Sequence, residues 1–480
     1  MTLLFLALPS SAATLTVGPS GTYGSLSDAI AAAADGDILV VAAGVYSEQL
    51  DFGGKSLSIL GMNGRDQTLL VPPAYQDAVI ANKGETALLS GFSILPTHGR
   101  GVVVENSSLS LAQSSIEQAE GDKGGAMAVL SGTLSLTSIL VTEPTASYGG
   151  ALYADNSTVT GTGLSFSGGQ ATRGAGIYAT GNSKVQLTDL LAMAPTSTGD
   201  GAFAWIDGGS LVLSDFWVDS PGATTADGVG IYALNSNVEL SSGTFVGARD
   251  QSGSGSGGAL YAENSMVDVQ DLKVEASVAG QGGALAFSNS YATLQSLDVS
   301  ANEADKGGGV WASGGTLDCS DCSVADNRAA SGGGLYLNNV LFGDQQGFFE
   351  DNQADDGGAI FCDSGSLSLS SSLFEGNLAT LSGGGIYQSS GSLSGDRLVA
   401  RDNHATAGGF FWGASDLTLS ESRFSDNSAD RSSGGAFWAD GSLDLSNSYL
   451  ENNVAAVDGG AIYARGGLVN LQQGWLFGNE

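Results

Sequence analysis

The sequence predicts an all-β chain that winds as a single-stranded, right-handed parallel β-helix, a solenoid with about 25 residues per coil. A glycine-rich phrase ending in a large apolar residue returns at nearly constant spacing, and asparagine recurs with the same period. Between them lie short runs such as Ser-Leu-Ser-Leu at 366–369, whose alternation of polar and apolar residues is typical of strands. These three observations together predict stacked strands and not an α-helical repeat.

The glycine phrase reads Gly-Gly-Ala-Leu-Tyr at 149–153 and 257–261, and Gly-Gly-Ala-Ile-Tyr at 459–463. A period this regular indicates structural units that bury their apolar faces only against their neighbours. Interior glycines on this scale disfavour α-helices, whereas Gly, Ser, Asn and Asp suit turns. Three short strands and three turns would fill one coil. The large apolar residue falls at Met127, Leu152, Ile177, Phe203, Ile231, Leu260, Leu285, Val310, Leu335, Ile360, Ile386, Phe411, Phe437 and Ile462.

The second column of the repeat is asparagine. Equivalent positions of successive coils are expected about 4.8 Å apart, the spacing of paired strands. Aligned asparagines at that spacing can form side-chain amide ladders, so we assign this column a structural role. Its members are Asn302, Asn327, Asn352, Asn377, Asn403, Asn427 and Asn453.

Three regions are predicted along the chain. Residues 1–13 form an apolar run ending in small residues, typical of a signal peptide. Residues 14–100 hold the N-terminal cap and the first irregular coils, beginning with a short helix at 26–34. Ser25 and Asp28 form its capping box, and it should cover the first coil. Residues 101–480 are regular coils, and their end without a terminal cap predicts a truncated C-terminus.

The composition indicates which cellular compartment and which binding partners are to be expected. Fifty acidic against sixteen basic residues give a formal charge of −34, which disfavours binding to nucleic acid. The chain has no apolar stretch of the eighteen or more residues that a transmembrane helix needs. Three cysteines are too few for a disulfide-rich scaffold. Cys319 and Cys322 are spaced for a local disulfide in an oxidising compartment, the alternative being two buried small apolar side chains.

Acidic residues that precede the glycine turn are candidate calcium ligands. Carboxylates aligned on successive coils could bind this cation, which prefers oxygen ligands. The alternative is that aspartate is simply favoured before a glycine turn. The candidates are Asp305, Asp355, Asp356, Asp430 and Asp458.

The residue after the large apolar position is aromatic in eleven of fourteen coils. By strand alternation this side chain should point outward when its predecessor points inward. An outward aromatic stripe is typical of surfaces that bind carbohydrate or another protein. The alternatives are rings that stack to stabilise the sheet, or rings that lie in the core. The candidates are Tyr153, Tyr178, Tyr232, Tyr261, Trp311, Tyr336, Phe361, Tyr387, Trp412, Trp438 and Tyr463.

Two family resemblances follow from these motifs. The segments at 23–30, 36–41 and 55–61 resemble the opening of pectate-lyase-like β-helices. The Gly-Gly-Ala-Ile and Phe-x-x-Asn phrases resemble the polymorphic outer membrane protein repeat. The second resemblance implies a secreted or outer-membrane surface protein of bacteria, often adhesive. The first implies cleavage of acidic polysaccharides.

The sequence therefore predicts a non-enzymatic extracellular or cell-surface β-helix for adhesion, recognition or surface structure. Its expected partners are carbohydrate or a surface protein, and calcium is the candidate cofactor. The alternative is a pectate-lyase-like polysaccharide lyase or glycoside hydrolase. The enzyme hypothesis requires clustered carboxylates with an adjacent Arg or Lys, or two facing carboxylates.

Overall fold

The computed structural model describes residues 12–224 and 226–480, so residues 1–11 of the predicted signal peptide lie outside the described residues. The chain divides into two compact units, residues 1–191 and 192–480. Each is a parallel β-solenoid, which confirms the predicted fold class and the period of about 25 residues. In each coil we number the faces in chain order, starting with face 1, which follows the glycine turn.

The first unit has short strands on all four faces. Face 1 contains Leu50–Asp51, Val79–Ala81, Val102–Glu105, Met127–Leu130, Leu152–Asp155 and Ile177–Thr180. Face 2 contains Thr14–Val17, Ile38–Val41, Ser58–Gly61, Thr86–Ser90 and Ser108–Ala112. Face 3 contains Gly44–Tyr46, Thr68–Leu70, Ser93–Ile94 and Ser115–Glu117, and bent strands cover faces 2 and 3 at Thr133–Thr142, Thr158–Ser167 and Lys184–Met193. Face 4 contains Glu120–Lys123, Thr145–Tyr148 and Gln170–Ala171.

The second unit follows the same plan with longer bent strands. Face 1 contains Ala204–Asp207, Ile231–Leu234, Leu260–Glu263, Ile386–Gln388, Phe411–Gly413, Phe437–Ala439 and Ile462–Ala464. Strands Leu285–Gln295, Val310–Ser320, Leu335–Gln345 and Ile360–Ser370 cover faces 1 and 2, whereas Ser210–Asp219, Asn237–Val246 and Met266–Glu275 cover faces 2 and 3. Face 2 continues with Ser392–Asp396, Asp416–Ser420, Leu443–Ser446 and Val469–Gln472.

Faces 3 and 4 complete the coils of the second unit. Face 3 contains Asp298–Ser300, Ser323–Ala325, Phe348–Glu350, Leu373–Glu375, Val399–Arg401, Arg423–Ser425, Tyr449–Glu451 and Trp475–Phe477. Face 4 contains Thr196–Ser197, Gly222–Ala223, Arg249–Asp250, Gln353–Asp356, Leu378–Ser382, His404–Ala405, Ser428–Ala429 and Val454–Ala455.

The helix at the start of the first unit spans Leu26–Ala32, two residues shorter than predicted. The Ser25 hydroxyl accepts a hydrogen bond from the Asp28 amide at 3.1 Å, as the capping box requires. Residues of the first coil hold both ends. The Glu48 carboxylate accepts from the Leu26 amide at 2.7 Å, and the Lys55 ammonium donates to the Ile30 carbonyl at 2.6 Å. These contacts offset the unpaired amides and carbonyls at the helix ends.

Four left-handed corners close most of the regular coils. In one coil of the second unit they are Asn289, Ser296, Ala301 and Gly307, with φ of 48°, 51°, 56° and 61°. The prediction of three strands and three turns per coil was therefore wrong by one element. The short face 4 lies between the last two corners, and its few residues give little periodicity to detect.

The two positions of the turn before face 1 require glycine for different physical reasons. The first glycine, such as Gly307, occupies the left-handed region, which favours glycine. The second approaches the next coil, since a Cβ added to Gly308 would lie 2.4 Å from the Gly333 carbonyl oxygen. That oxygen belongs to the backbone and cannot move aside. Equivalent approaches recur at Gly283 and Gly333, where an added Cβ would lie 2.2 Å and 2.4 Å from a glycine carbonyl oxygen of the next coil.

The asparagine column forms a buried ladder at the corner between faces 3 and 4 of the second unit. The side-chain amide of Asn327 donates to Asn352 Oδ1 at 3.1 Å, and Asn352 donates to Asn377 Oδ1 at 3.0 Å. Each amide nitrogen also donates to a backbone carbonyl, such as that of Val324 at 2.8 Å for Asn352. The same pattern runs from Asn302 to Asn479. These polar groups are buried but fully hydrogen-bonded, which makes their burial tolerable.

A serine column plays the equivalent role at the corner between faces 1 and 2, and sequence reasoning missed it. The Ser236 amide donates to Ser265 Oγ at 3.0 Å, and the Ser265 amide donates to Ser290 Oγ at 3.1 Å. Each hydroxyl in turn donates to a backbone carbonyl. Serine is so common in this chain that its spacing alone gave no signal.

We predict that Asn352→Ala lowers the free energy of unfolding by about 3 kcal/mol. The change leaves two donors of Asn327 and the Val324 carbonyl buried without a partner, and each such group costs about 1–3 kcal/mol. Asn237→Ala is the matched control, because the Asn237 side chain is exposed and donates to the side chain of Glu239. It should change stability by less than about 0.5 kcal/mol. Urea denaturation of both variants measures the difference, and equal losses would contradict a ladder role.

Candidate functional site

The aromatic candidates all lie on the outward side of face 1. In the first unit Leu152 pairs with Ile177 and Tyr153 with Tyr178, so each tyrosine follows an inward apolar residue. In the second unit Ile360 is fully buried and Phe361 is half-buried, by the same alternation. The structure therefore places the predicted column on the predicted side of the strand.

The rings stack on one another along the coils. Phe361 and Tyr387 have ring centroids 4.6 Å apart with planes 7° from parallel, and Trp412 stacks on Trp438 at 4.8 Å. Stacked neighbours cover the ring faces, and Tyr153 and Tyr336 are only 3% and 8% exposed. What most rings offer to solvent is an edge. The faces that a flat sugar would need are occupied by the next ring.

Two lysines lie over rings of this column. The Lys123 ammonium lies 5.3 Å from the centroid of the Tyr153 ring, and the Lys306 ammonium lies 4.9 Å from that of Tyr336. These are cation–π distances, within the usual limit of about 6 Å. In the coil of Lys123 the equivalent outward position is Ala128, so the lysine covers a ring face that has no aromatic neighbour there.

Trp205 belongs to the column, although the sequence comparison had assigned its coil to Phe203. The pairing places Ala204 opposite Ile231 and Trp205 opposite Tyr232, one residue later than expected. Trp205 stacks on Tyr232 with ring centroids 6.0 Å apart. This coil departs from the usual turn, since Ala202 occupies the place of the second glycine. Its Ala-Trp-Ile alternation was the signal that could have revealed the shift.

The five aspartates do not form the expected calcium stripe. The Asp355 amide donates to the Ala330 carbonyl, and the Ala330 amide donates to the Asp305 carbonyl, so an alanine separates the two aspartates. Asp355 instead accepts from the Thr380 hydroxyl at 2.6 Å, and Asp430 from the Ser428 hydroxyl at 2.7 Å. Across the described ranges, 12–224 and 226–480, no group of three or more His, Cys, Asp or Glu residues could hold a metal ion.

Asp356 and Asp458 differ from the other three in register. Asp356 pairs with Ser382 across face 4, and burial raises the pKa of its carboxyl. Asp458 is exposed, and its carbonyl accepts from the Gly434 amide. The five residues therefore occupy several different columns. Their shared position before a glycine turn reflects turn preference, which was the alternative interpretation.

The cysteines form one disulfide. Cys319 and Cys322 are bonded, with Cα atoms 6.0 Å apart, across the corner between faces 2 and 3. Cys362 is a buried free thiol on the inward side of face 1, and burial raises its pKa to about 12. A thiol held protonated in the core is a poor nucleophile. The cysteines therefore supply a structural bond and a core side chain.

Asp344 is a buried carboxylate that sequence reasoning missed. Strand pairing places it between Cys319 and Leu369 in an inward column, where it is 4% exposed. Burial raises the pKa of this carboxyl to about 6, although hydrogen bonds from Ser372 and Gly347 act in the opposite direction. One of its oxygens has no hydrogen-bond partner.

The first unit has an ion pair and a histidine–carboxylate contact near the corner that precedes face 1. The Arg100 guanidinium binds both oxygens of Asp77, at 2.9 Å and 2.7 Å. His98 Nδ1 lies 2.8 Å from Glu120 Oε2, and its ring stacks on Tyr75 at 5.2 Å. The enzyme hypothesis requires an arginine near carboxylates. Here Arg100 is already engaged in a bidentate pair with Asp77 of the preceding coil, which links the two coils.

Other outward positions expose large apolar side chains. On face 3, strand pairing aligns Phe348, Leu373 and Val399, then Arg423 and Tyr449, in one column. Of these, Phe348, Val399 and Tyr449 are exposed large apolar residues. We call these five residues the face 3 stripe. Two ion pairs link neighbouring coils here: Arg401–Glu375 lies beside the stripe, and Arg423–Glu451 includes one of its members.

These features define a repeat protein of the parallel β-helix class. Residues 347–363, 371–389 and 447–465 match the Chlamydia polymorphic membrane protein (Chlamydia_PMP) repeat, which confirms the predicted resemblance. Each matched segment spans one asparagine of the ladder and the next glycine turn. The repeat family points to a bacterial outer-membrane or surface protein.

Other comparisons add little about activity. No curated protein matches the chain. Among solved structures it is similar to the pectin methylesterase from Aspergillus niger, at 15% identity over 60% of this chain and 87% of that chain, with a TM-score of 0.23. A likeness this remote carries no argument about what this chain does. No helix among the described residues is long and apolar enough to cross a membrane.

We predict that Asp344 makes the fold less stable as the pH rises through about 6. Because burial raises the carboxyl pKa from 3.8 to about 6, the folded state keeps this proton when the unfolded chain has lost it. The stabilising contribution is complete below pH about 4 and is lost above the folded pKa. Relative to the wild-type protein, Asp344→Asn should gain about 3 kcal/mol in the free energy of unfolding between pH 4 and pH 7.5. This figure is the shift in the carboxyl pKa multiplied by about 1.36 kcal/mol per pKa unit.

Denaturation of both proteins between pH 4 and 8 measures the effect. The exposed Asp268→Asn is the control and should leave the pH profile unchanged. An Asp344→Asn profile that runs parallel to the wild-type profile would show that this carboxyl does not titrate with folding.

Proposed function

We propose that this chain is a non-enzymatic extracellular or cell-surface β-helix of bacteria that acts in adhesion or recognition. The match of three segments to a membrane protein repeat supports surface localisation. The Cys319–Cys322 disulfide supports export, since disulfides persist in oxidising compartments outside the cytosol. A charge of −34 suits a protein that stays soluble at a cell surface.

The face 3 stripe is the observation that carries the proposal. Exposed apolar side chains that form a contiguous patch mark interaction sites in soluble proteins, whereas isolated ones are ordinary. Here Phe348, Leu373 and Val399 are neighbours on successive coils, and ion pairs flank them. An apolar centre with a polar rim is the usual anatomy of a binding surface. The solenoid holds that surface rigid, so binding costs little ordering entropy.

The outward aromatic column of face 1 has a different role in this proposal. Its stacked rings stabilise the coils, and aromatic pairs of this geometry contribute about 0.5–1.5 kcal/mol each beyond their buried area. Its exposed edges extend the surface available to a carbohydrate or a surface protein. Calcium has no support from the arrangement of the five aspartates, so the proposal includes no metal.

The alternative is a polysaccharide lyase or glycoside hydrolase. It predicts cleavage of a polymer, which the recognition proposal does not. Arg100 and Asp77 bring an arginine beside a carboxylate in the first unit, but their mutual pairing would have to open for catalysis. Measuring cleavage and binding in one experiment therefore separates the two functions.

We predict binding of a carbohydrate or surface protein without cleavage. The purified chain is incubated with acidic and neutral polysaccharides, with and without calcium, and with detergent-free cell envelopes. Co-sedimentation and polymer length are both measured. A variant carrying Phe348→Ser, Val399→Ser and Tyr449→Ser should lose most binding, because it removes the exposed apolar residues of the face 3 stripe.

The matched control carries Val45→Ser and Met62→Ser, two exposed apolar residues of the first unit. It should bind as the wild-type protein does. Shortening of any polymer would contradict a non-enzymatic function. Equal binding by the stripe variant and the control would show that the face 3 stripe does not mediate binding.

A further inference from the structure

Face 2 of the second unit has a recess where one coil lacks an outward side chain. Strand pairing aligns Thr293, Asp318, Gly343 and Ser368 in one outward column of four successive coils. Because Gly343 contributes no side chain, a recess of about 300 Å³ opens above it. Its floor is backbone, and its walls are the side chains of the neighbouring coils.

Asp318 supplies the charged group of this recess. A Cβ built on Gly343 would lie 2.9 Å from Asp318 Oδ1, so this oxygen stands beside the space that the glycine leaves open. The other oxygen, Oδ2, accepts a hydrogen bond from the Tyr291 hydroxyl at 3.4 Å. That contact ties the carboxylate to the aromatic ring, while Oδ1 remains available to a ligand.

Exposed apolar side chains lie beside the recess, in the neighbouring outward column of face 2. Met266, Tyr291, Thr316 and Leu341 are aligned on successive coils next to the Asp318 column. Tyr291 is 50% exposed and Leu341 is 59% exposed, although strand alternation elsewhere on face 2 gives small polar side chains at this position. On the other side lies the exposed amide of Gln345. The outward side chains that line the recess are therefore polar, and exposed apolar side chains lie next to it.

This arrangement matches the chemistry of a sugar ring. A hexose has an edge of hydroxyls, which can donate to the carboxylate and the amide in the recess, and an apolar C–H face, which can pack on the tyrosine and leucine beside it. A carboxylate oxygen accepts such hydrogen bonds about twice as strongly as a neutral oxygen does. The recess volume reaches the lower end of the range for small-ligand sites, about 300–1,000 Å³.

We propose that this recess binds one neutral hexose unit of a glycan. The proposal rests on the recognition function above and names its ligand class and site. Uronic acids and other anionic sugars are excluded, because Asp318 would repel them and the chain carries a charge of −34. One sugar unit in a shallow site binds with a millimolar Kd, and a repetitive glycan gains avidity by engaging several chains at a surface.

Saturation-transfer NMR and calorimetric titration with methyl glycosides test the proposal. The probes are methyl glucoside, galactoside, mannoside, N-acetylglucosaminide and N-acetylgalactosaminide, with methyl glucuronide as the anionic comparison. At least one neutral probe should bind saturably in the millimolar range, and the glucuronide should not. Asp318→Ala should weaken binding at least tenfold, and Gly343→Val should abolish it by filling the recess.

The variants are chosen so that loss of binding is not loss of fold. A side chain at Gly343 meets only the flexible end of Asp318, and valine suits a strand, so the melting temperature should hold. If Gly343→Val fails to fold, Gly343→Ala gives the same test with one carbon. Asp268→Ala is the matched control, an exposed aspartate of the same column two coils from Asp318, and should bind normally.

Three results would overturn the inference: no saturable neutral probe, binding retained by Gly343→Val, or equal losses in Asp318→Ala and Asp268→Ala. Failure here is distinguishable from failure of the proposed function. Binding of polymers or envelopes through the face 3 stripe without binding of any methyl glycoside would contradict only the hexose site. Binding of none of these probes would contradict both the hexose site and the proposed function.

Discussion

The close approach of one backbone to the next at the glycine turn is the constraint on which the rest of the structure depends. The second glycine of each regular turn leaves no room for a Cβ, because the carbonyl of the next coil lies where it would be. The first glycine takes a left-handed conformation that closes the coil. Together they set the distance and the register between coils in a regular stretch. In two coils of the second unit, Ala202 and Val229 occupy the position of the second glycine. These coils have longer periods, and Ala202 and Val229 belong to a small apolar cluster.

Because the register is fixed, equivalent residues of successive coils form columns. Whether a column points inward, lies at a corner or points outward decides its role. Inward columns give the narrow apolar core, and corner columns of Asn and Ser satisfy buried backbone groups through side-chain ladders. Outward columns are less constrained by packing than inward ones, so the composition of some can follow function. One outward column of face 1 has become a stack of rings. The exposed apolar residues of the face 3 stripe, and the recess at Gly343, have no comparable structural duty. This contrast is why we assign recognition to them.

The sequence was sufficient for the period, the strand alternation and the asparagine ladder, because each depends on a residue type that recurs at one spacing. It was insufficient wherever a column changes residue type. Asp344 lies in a column with Cys319 and Leu369, and only the pairing of strands shows that it points inward. Trp205 was missed because its coil is longer and the glycine phrase is altered. The aspartates precede the same turn but do not all share a column, so spacing suggested a cluster that three-dimensional register does not form.

The most direct test of the central claim is the effect of one methyl group at the second glycine of a turn. Gly308→Ala places a Cβ 2.4 Å from the Gly333 carbonyl oxygen and 2.6 Å from the Arg328 amide nitrogen. Gly24→Ala is the matched control, since nothing lies within 4 Å of its Cβ and its φ is not positive. The account predicts that urea denaturation shows a loss of more than about 3 kcal/mol for Gly308→Ala and almost none for Gly24→Ala. A Gly308→Ala protein as stable as the control would contradict the claim that this approach fixes the register of the coils.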